Sequence, residues 1–240
     1  GTPIIKAAGD LWPILHLIDK RRWPSYWKFV QKYAVTWHDH FGWHVEGVTN
    51  VRNMWIELSS VGLRRTVAEV QPSLPPLVRQ RIPLQMTPKQ AKAYRELEKD
   101  LYTVINEADP SAGYLLAPSV LALETRLRQL LTSPRLLDID DDGASVLALV
   151  EVAKSHSRPI VAFTPFASAI PIVAAALVKT GRPTYIVRGG MGQRLSESVG
   201  LFKAAAKAGE APVLLSSVQM SKSWSVSTVT HECYMLEYDW

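Results

Sequence analysis

From residue 145 onward, short apolar runs alternate with helical patterns. Val146 to Lys154 reads as a helix, followed by the run Pro159-Ile160-Val161-Ala162-Phe163, a helix over Ala167 to Lys179, and the run Thr184-Tyr185-Ile186-Val187-Arg188. A Gly-rich turn, a helix over Arg194 to Lys207, the run Pro212-Val213-Leu214-Leu215-Ser216 and a last run from Glu232 to Glu237 complete the pattern. Buried-type strands alternating with helices predict an α/β fold with a parallel sheet covered on both faces. Ligands of such sheets bind at the carboxyl ends of the strands, so 164–168, 189–194, 216–228 and 237–240 are the expected functional loops.

The first 144 residues follow another pattern. Trp12, Trp23, Trp27, Trp37, Trp43 and Trp55 crowd the first 60 residues without a clean period of two, which predicts an aromatic-rich helical region whose stripe forms core. Residues 71–83 are punctuated by prolines and then alternate, predicting a turn that feeds an extended strand near 77–84. Thr87-Pro88-Lys89-Gln90 reads as a helix start, with Thr87 as cap and the Gln90 side chain reaching back to it. Ala91, Tyr94, Leu97, Leu101 and Val104 continue that helix, and a second runs from about Ser119 to Thr132 before Ser133-Pro134. Asp109 to Gly113 and Asp138 to Gly143 read as loops; the acidic run lacks the closing Glu of a calcium loop and is expected to be a solvated linker.

Composition narrows the class. At 240 residues, 47% hydrophobic and 20% charged, the chain is expected to fold as one or two globular domains. No run of about 18 uncharged apolar residues occurs, so no membrane partner is expected. The single cysteine, Cys233, forbids an intrachain disulfide and a multi-cysteine zinc cage, which suggests a reducing, intracellular setting. The start at Gly1-Thr2-Pro3-Ile4, without an initiator Met, and the end at Tyr238-Asp239-Trp240 suggest a piece of a longer chain. Residues 1–100 hold 15 Lys+Arg against 9 Asp+Glu, residues 101–144 hold 3 against 7, and residues 145–240 hold 9 against 6. Two basic blocks around an acidic middle fit a polyanionic partner such as nucleic acid.

The order of several short segments carries a more specific signal. Gly1-Thr2-Pro3 is followed by Phe41-Gly42-Trp43 with Gly47 and Asn50, then by Leu63-Arg64-Arg65-Thr66-Val67-Ala68-Glu69-Val70 and Leu74-Pro75-Pro76, then by the helix from Thr87 and Leu127-Arg128-Gln129-Leu130 before Pro134. This order closely resembles the Swi/Snf-type ATPases, double-stranded-DNA translocases of helicase superfamily two, and Phe41-Gly42-Trp43 resembles their annealing-helicase subgroup.

The resemblance implies a layout. Residues 1–85 would be the end of a first RecA-like lobe with a helical protrusion, 86–144 a helical insertion and linker, and 145–240 a truncated second RecA-like lobe. Gly1, Thr2 and Pro3 would be motif III, Phe163-Thr164 motif IV, and Leu214-Leu215-Ser216-Ser217 the opening of motif V. DNA-binding candidates are then Thr164, Gly189, Gly190, Arg194, Ser216, Ser217, Lys222 and Thr228, with Ser227 an alternative for the last. Arg64, Arg65, Glu237 and Asp239 are candidates for contacts between lobes.

ATP and Mg2+ are the cofactors implied for the parent protein, whereas none is expected to bind this chain alone and no catalytic residue is expected within it. No G-x-x-x-x-G-K-[ST] segment and no Asp-Glu pair after a strand occur, and the resemblance places the arginine-finger motif beyond Trp240. Phosphoryl transfer needs all three. The implied partners are sequence-independent double-stranded DNA and the missing first lobe. Alternatives are a motor subunit of a restriction or strand-separating helicase, or a degenerate scaffold, which the glycine-poor stretch Val218 to Trp224 favours. His38-Asp39-His40 with His44 has close spacing for zinc but lacks a second cluster, so no metal site is expected.

Overall fold

A computed structural model describes residues 4, 7–106 and 113–237. Two compact units divide the chain, Gly1–Arg79 and Gln80–Trp240.

The first unit packs helices α1 (Trp12–Ile18), α2 (Tyr26–Tyr33) and α3 (Val51–Ser59) with a hairpin of strands β1 (Val35–Asp39) and β2 (Gly42–Glu46). Leu11, Leu15, Trp23, Phe29, Val30, Tyr33 and Met54 form its core. The hairpin corrects the expectation of an aromatic-rich helical region. Trp37 pairs with His44 and His38 with Trp43 across the strands, cross-strand aromatic pairing that suits a pleated ladder. Gly42, at φ 121°, opens the second strand. The expected core stripe is also corrected: Trp23 is buried, whereas Trp27, Trp37, Trp43 and Trp55 stand 43–56% exposed. A short helix α4 (Val67–Val70) follows, with Thr66 and Glu69 forming a reciprocal capping box.

Residues 77–84 form no ladder, contrary to expectation, and Leu77 and Val78 face solvent. Prolines at 72, 75, 76 and 83 remove amide donors from this stretch, and no strand of either sheet pairs with it.

In the second unit, α5 (Pro88–Asn106) and α6 (Gly113–Thr132) pack together. Helix α6 starts six residues before the expected Ser119, although Pro118, which lacks an amide donor, falls in its second turn. Residues 109–112 of the expected loop lie outside the described residues. Thr87 caps α5 as expected, accepting from the Gln90 amide at 3.2 Å. The Gln90 side chain does not reach back, because distant backbone groups take it: its amide donates to the Leu130 carbonyl at 2.9 Å and its oxygen accepts from Ala144 N at 3.1 Å.

The acidic run is more ordered than the expected solvated linker. Asp141 accepts from the Thr87 hydroxyl and from Gly143 N, while Arg135 pairs with Asp140 at 2.9 Å and Asp142 at 2.5 Å. Gly143 takes φ +83°, and a Cβ there would come within 2.4 Å of Pro134 Cδ. Only glycine fits this turn without strain.

Helix α7 (Ala144–Ser155) then leads into a four-stranded, all-parallel sheet of β3 (Ile160–Thr164), β4 (Thr184–Val187), β5 (Val213–Ser217) and β6 (Cys233–Met235), in the order β4-β5-β3-β6. Alternate side chains serve opposite faces. Ile160, Ala162, Val213 and Leu215 pack under α7 and α8 (Ala169–Val178), whereas Val161, Val187 and Leu214 pack against Val199 and Phe202 of α9 (Gln193–Lys207). At the amino edge, the Arg182 guanidinium donates to the carbonyls of Ala153, His156, Arg158 and Ala211, and burial holds its pKa below the ordinary arginine value.

Candidate nucleic-acid interface

The carboxyl edge of the sheet gathers the loops after β3, β4 and β5. Thr164 and Ser217 are register partners at the ends of β3 and β5, and Ser216 lies opposite Val187 of β4. Parallel pairing therefore brings three of the expected DNA-binding residues together, but all three are buried. The Thr164 hydroxyl accepts from Phe166 N at 3.3 Å and the Ser216 hydroxyl donates to the Ser217 carbonyl at 3.1 Å, so these groups close their own loops. Their exposed neighbours form the outer surface.

Gly189 and Gly190 stand exposed in the turn after β4, with Gly190 at φ +80°. That turn ends where the Arg194 amide bonds the Met191 carbonyl at 3.1 Å, which leaves the Arg194 side chain exposed at the start of α9. Arg188 is exposed beside them. After β5, residues Val218–Ser223 coil into a 3-10 turn that presents Lys222 to solvent. Gln219 ties this turn to the Pro165 carbonyl at 3.2 Å, and Trp224 stacks on Phe163 with ring centroids 5.7 Å apart and planes 14° from parallel. Thr228 and Ser227 are exposed, whereas the nearby Thr230 hydroxyl is committed to the Pro159 carbonyl at 2.5 Å. Arg188, Arg194 and Lys222 thus give this edge a cationic rim.

Gly1, Thr2, Pro3 and Asp239 lie outside the described residues. Arg64 and Arg65 are exposed in the first unit, with the Arg64 guanidinium 5.5 Å from the Trp55 ring centre. The Glu237 carboxylate is held by α6 of its own unit, at 2.5 Å from Arg128 Nε and 2.8 Å from the Thr132 hydroxyl, and Arg128 also lies 6.0 Å from the Phe166 ring centre. The sequence pattern held no signal for Gln219 and Thr132, which organise this edge through partners remote in the chain.

His44 Nε2 sits 3.0 Å from Asp39 and its ring stacks on Trp37, which uses up the closest donor pair of the histidine cluster. Slight burial works to raise the Asp39 pKa, but bonds from the Phe41 amide and His44 outweigh it and hold the carboxyl below its ordinary value. Among the described residues no group of three or more His, Cys, Asp or Glu is placed to hold a metal ion. The sequence carries no G-x-x-x-x-G-K-[ST] segment, the cradle a nucleotide–magnesium site would use.

A parallel sheet with helices on both faces and its loops collected at the carboxyl edge defines a RecA-like α/β lobe. The Sulfolobus solfataricus SWI2/SNF2 ATPase C-terminal domain shares this fold, with a TM-score of 0.50 at 16% identity over 63% of this chain and 68% of that one. The sequence pattern of the SNF2-related domain matches residues 1–136, and the chain belongs to that family. It is 24% identical over 143 residues to Protein CHROMATIN REMODELING 5 of Arabidopsis thaliana, covering 60% of this chain and 8% of that protein. It is 27% identical over 135 residues to the human DNA annealing helicase and endonuclease ZRANB3, covering 53% and 12%. Human Chromodomain-helicase-DNA-binding protein 7 is 24% identical over 157 residues, covering 65% and 5%. The chain thus spans 5–12% of the length of these relatives.

Proposed function

We propose that the chain is part of an ATP-dependent double-stranded-DNA translocase, supplying the second lobe and a grip on the DNA backbone. The cationic rim of Arg188, Arg194 and Lys222 on the carboxyl edge of the sheet carries this reading, because loops at that edge are where such folds bind ligands. Family membership and relatives named for DNA helicase activity support it. In this reading residues 1–85 close a first lobe and its protrusion, 86–144 form a helical insertion and linker, and 145–240 form the second lobe. The protein works inside the cell, on DNA.

Phosphate contacts position a protein on DNA without reading sequence. Exposed guanidinium and ammonium groups with nearby backbone amides suit that task. The chain supplies no residues for phosphoryl transfer, so ATP and Mg2+ belong to parts of the parent protein outside it. Two measurements test the proposal. The isolated chain releases no phosphate from ATP at saturating duplex DNA, and it binds duplex in the micromolar range, with affinity falling roughly tenfold or more between about 50 and 200 mM salt. Salt-insensitive binding refutes the grip.

A second reading, a scaffold without turnover, draws on the glycine-poor 3-10 turn Val218–Ser223 and on Trp224, which packs on Phe163. A restriction or strand-separating motor would use the same lobe.

A further inference from the structure

A groove of about 270 Å3 runs between α9 and residues 223–225, beside the cationic rim. Its two banks continue the two candidate loops, since Arg194 precedes one in sequence and Lys222 the other. The lining is mixed. Ser196, Ser223 and Ser225 offer hydroxyls and Lys203 an ammonium, whereas Leu195, Val199 and the Trp224 indole supply apolar surface. Lys203 is half-buried and has no ion pair among the described residues, so its charge is available to a ligand in the groove. The Trp224 indole N–H is buried without an acceptor among the described residues, although buried donors are normally satisfied. Gly200 opens the groove, because a Cβ built there meets nothing within 4 Å.

The lining asks for a ligand with a flat ring next to an anion. A simple anion would use the lysine and hydroxyls and leave the indole idle, whereas an apolar molecule would leave the lysine unmatched. Aromatic side chains stack on bases of single strands irrespective of sequence, and a duplex keeps its bases within its own stack. The volume is below the usual range of about 300–1,000 Å3 for drug-sized ligands, which suits a single nucleotide unit.

We propose that this groove receives one unpaired nucleotide of a nucleic-acid strand, its base against Trp224 and its phosphate at Lys203. The proposal rests on the nucleic-acid reading above. It adds that the protein discriminates unpaired from paired DNA at one position.

The test measures binding of the full chain, by fluorescence anisotropy, to an oligothymidylate of about 15 nucleotides, an abasic strand of the same length and a duplex. The two strands carry equal charge and differ only in bases. The thymidylate strand binds at least about fivefold tighter than the abasic one, the lower end of a single-base stacking contribution. Gly200→Leu fills the groove at an exposed helical position and raises helix propensity. It erases that ratio and leaves duplex binding within about twofold. Ser196→Leu, on the same bank, is a second block with the same expected result.

Equal binding of the two strands by the wild-type chain, or a ratio that survives both substitutions, overturns the groove assignment. Displacement of the strand by thymidine monophosphate also overturns it, in favour of a site for free nucleotides. Salt-dependent duplex binding without discrimination between strands removes only this inference, whereas failure to bind any of the three nucleic acids removes the DNA reading as well.

Discussion

Gln90→Leu tests how the helical insertion is joined to the sheet. Gln90 is 1% exposed and spans two helix ends, taking a carbonyl from the last turn of α6 and an amide from the first turn of α7. Both groups are among those a helix leaves without partners. Leucine is of similar volume, so the substitution chiefly strands one buried acceptor and one buried donor. At about 1–3 kcal/mol for each, the expected loss is about 2–6 kcal/mol. For a unit of this size, at about 2–4 °C per kcal/mol, that is a fall in Tm of roughly 4–24 °C. Six of the eight tryptophans lie in the first unit, so their fluorescence reports that unit, whereas far-UV circular dichroism reports both. The circular-dichroism transition of the second unit should move and the fluorescence transition should stay. A shift below about 2 °C, the size expected of an ordinary surface substitution, refutes the bridging role of Gln90.

Two further substitutions probe local physics. Gly143→Ala forces an L-residue into a positive φ and drives its Cβ into Pro134, so it should destabilise the second unit by about 2–4 kcal/mol in urea unfolding; a change below about 0.5 kcal/mol contradicts that turn geometry. Burial alone would raise the Glu57 pKa, but bonds from Lys32 and neighbouring groups outweigh it and hold the carboxyl below its ordinary value. Its contribution is therefore present above the unfolded carboxylate pKa, about 4.3, and lost as pH falls through the folded value. Tryptophan-monitored stability of the first unit should drop on acidification through that window, and Glu57→Gln should flatten the drop.

Legibility in the sequence followed the range of the interactions. The second unit could be read because the central strands β3 and β5 of its parallel sheet are buried on both faces and so are continuous apolar runs, such as Val213-Leu214-Leu215. The β1–β2 hairpin could not, because Trp37 and Trp43 are fixed by cross-strand partners that a helical stripe of aromatics mimics. The Gln90 side chain fits a local capping box, but its actual partners lie 40 and 54 residues away, and nothing near Thr87 announces them. The same holds for the interface. Strand ends located Thr164, Ser216 and Ser217, yet their burial depends on loops that fold back over them, and the groove beside Gly200 exists only through the packing of α9 against residues 223–225.

The grip itself is tested most directly by where salt dependence resides. Duplex affinity is measured against salt for the wild-type chain, Arg194→Gln, Lys222→Gln and Lys154→Gln, the last a control in the final turn of α7, before the amino edge of the sheet. Each phosphate neutralised contributes a log–log slope of about −0.9, so the wild-type slope should be about −2 to −4 and each carboxyl-edge substitution should reduce its magnitude by about one. Lys154→Gln should leave it unchanged. Equal reduction by all three substitutions, or by none, would contradict a DNA grip at the carboxyl edge.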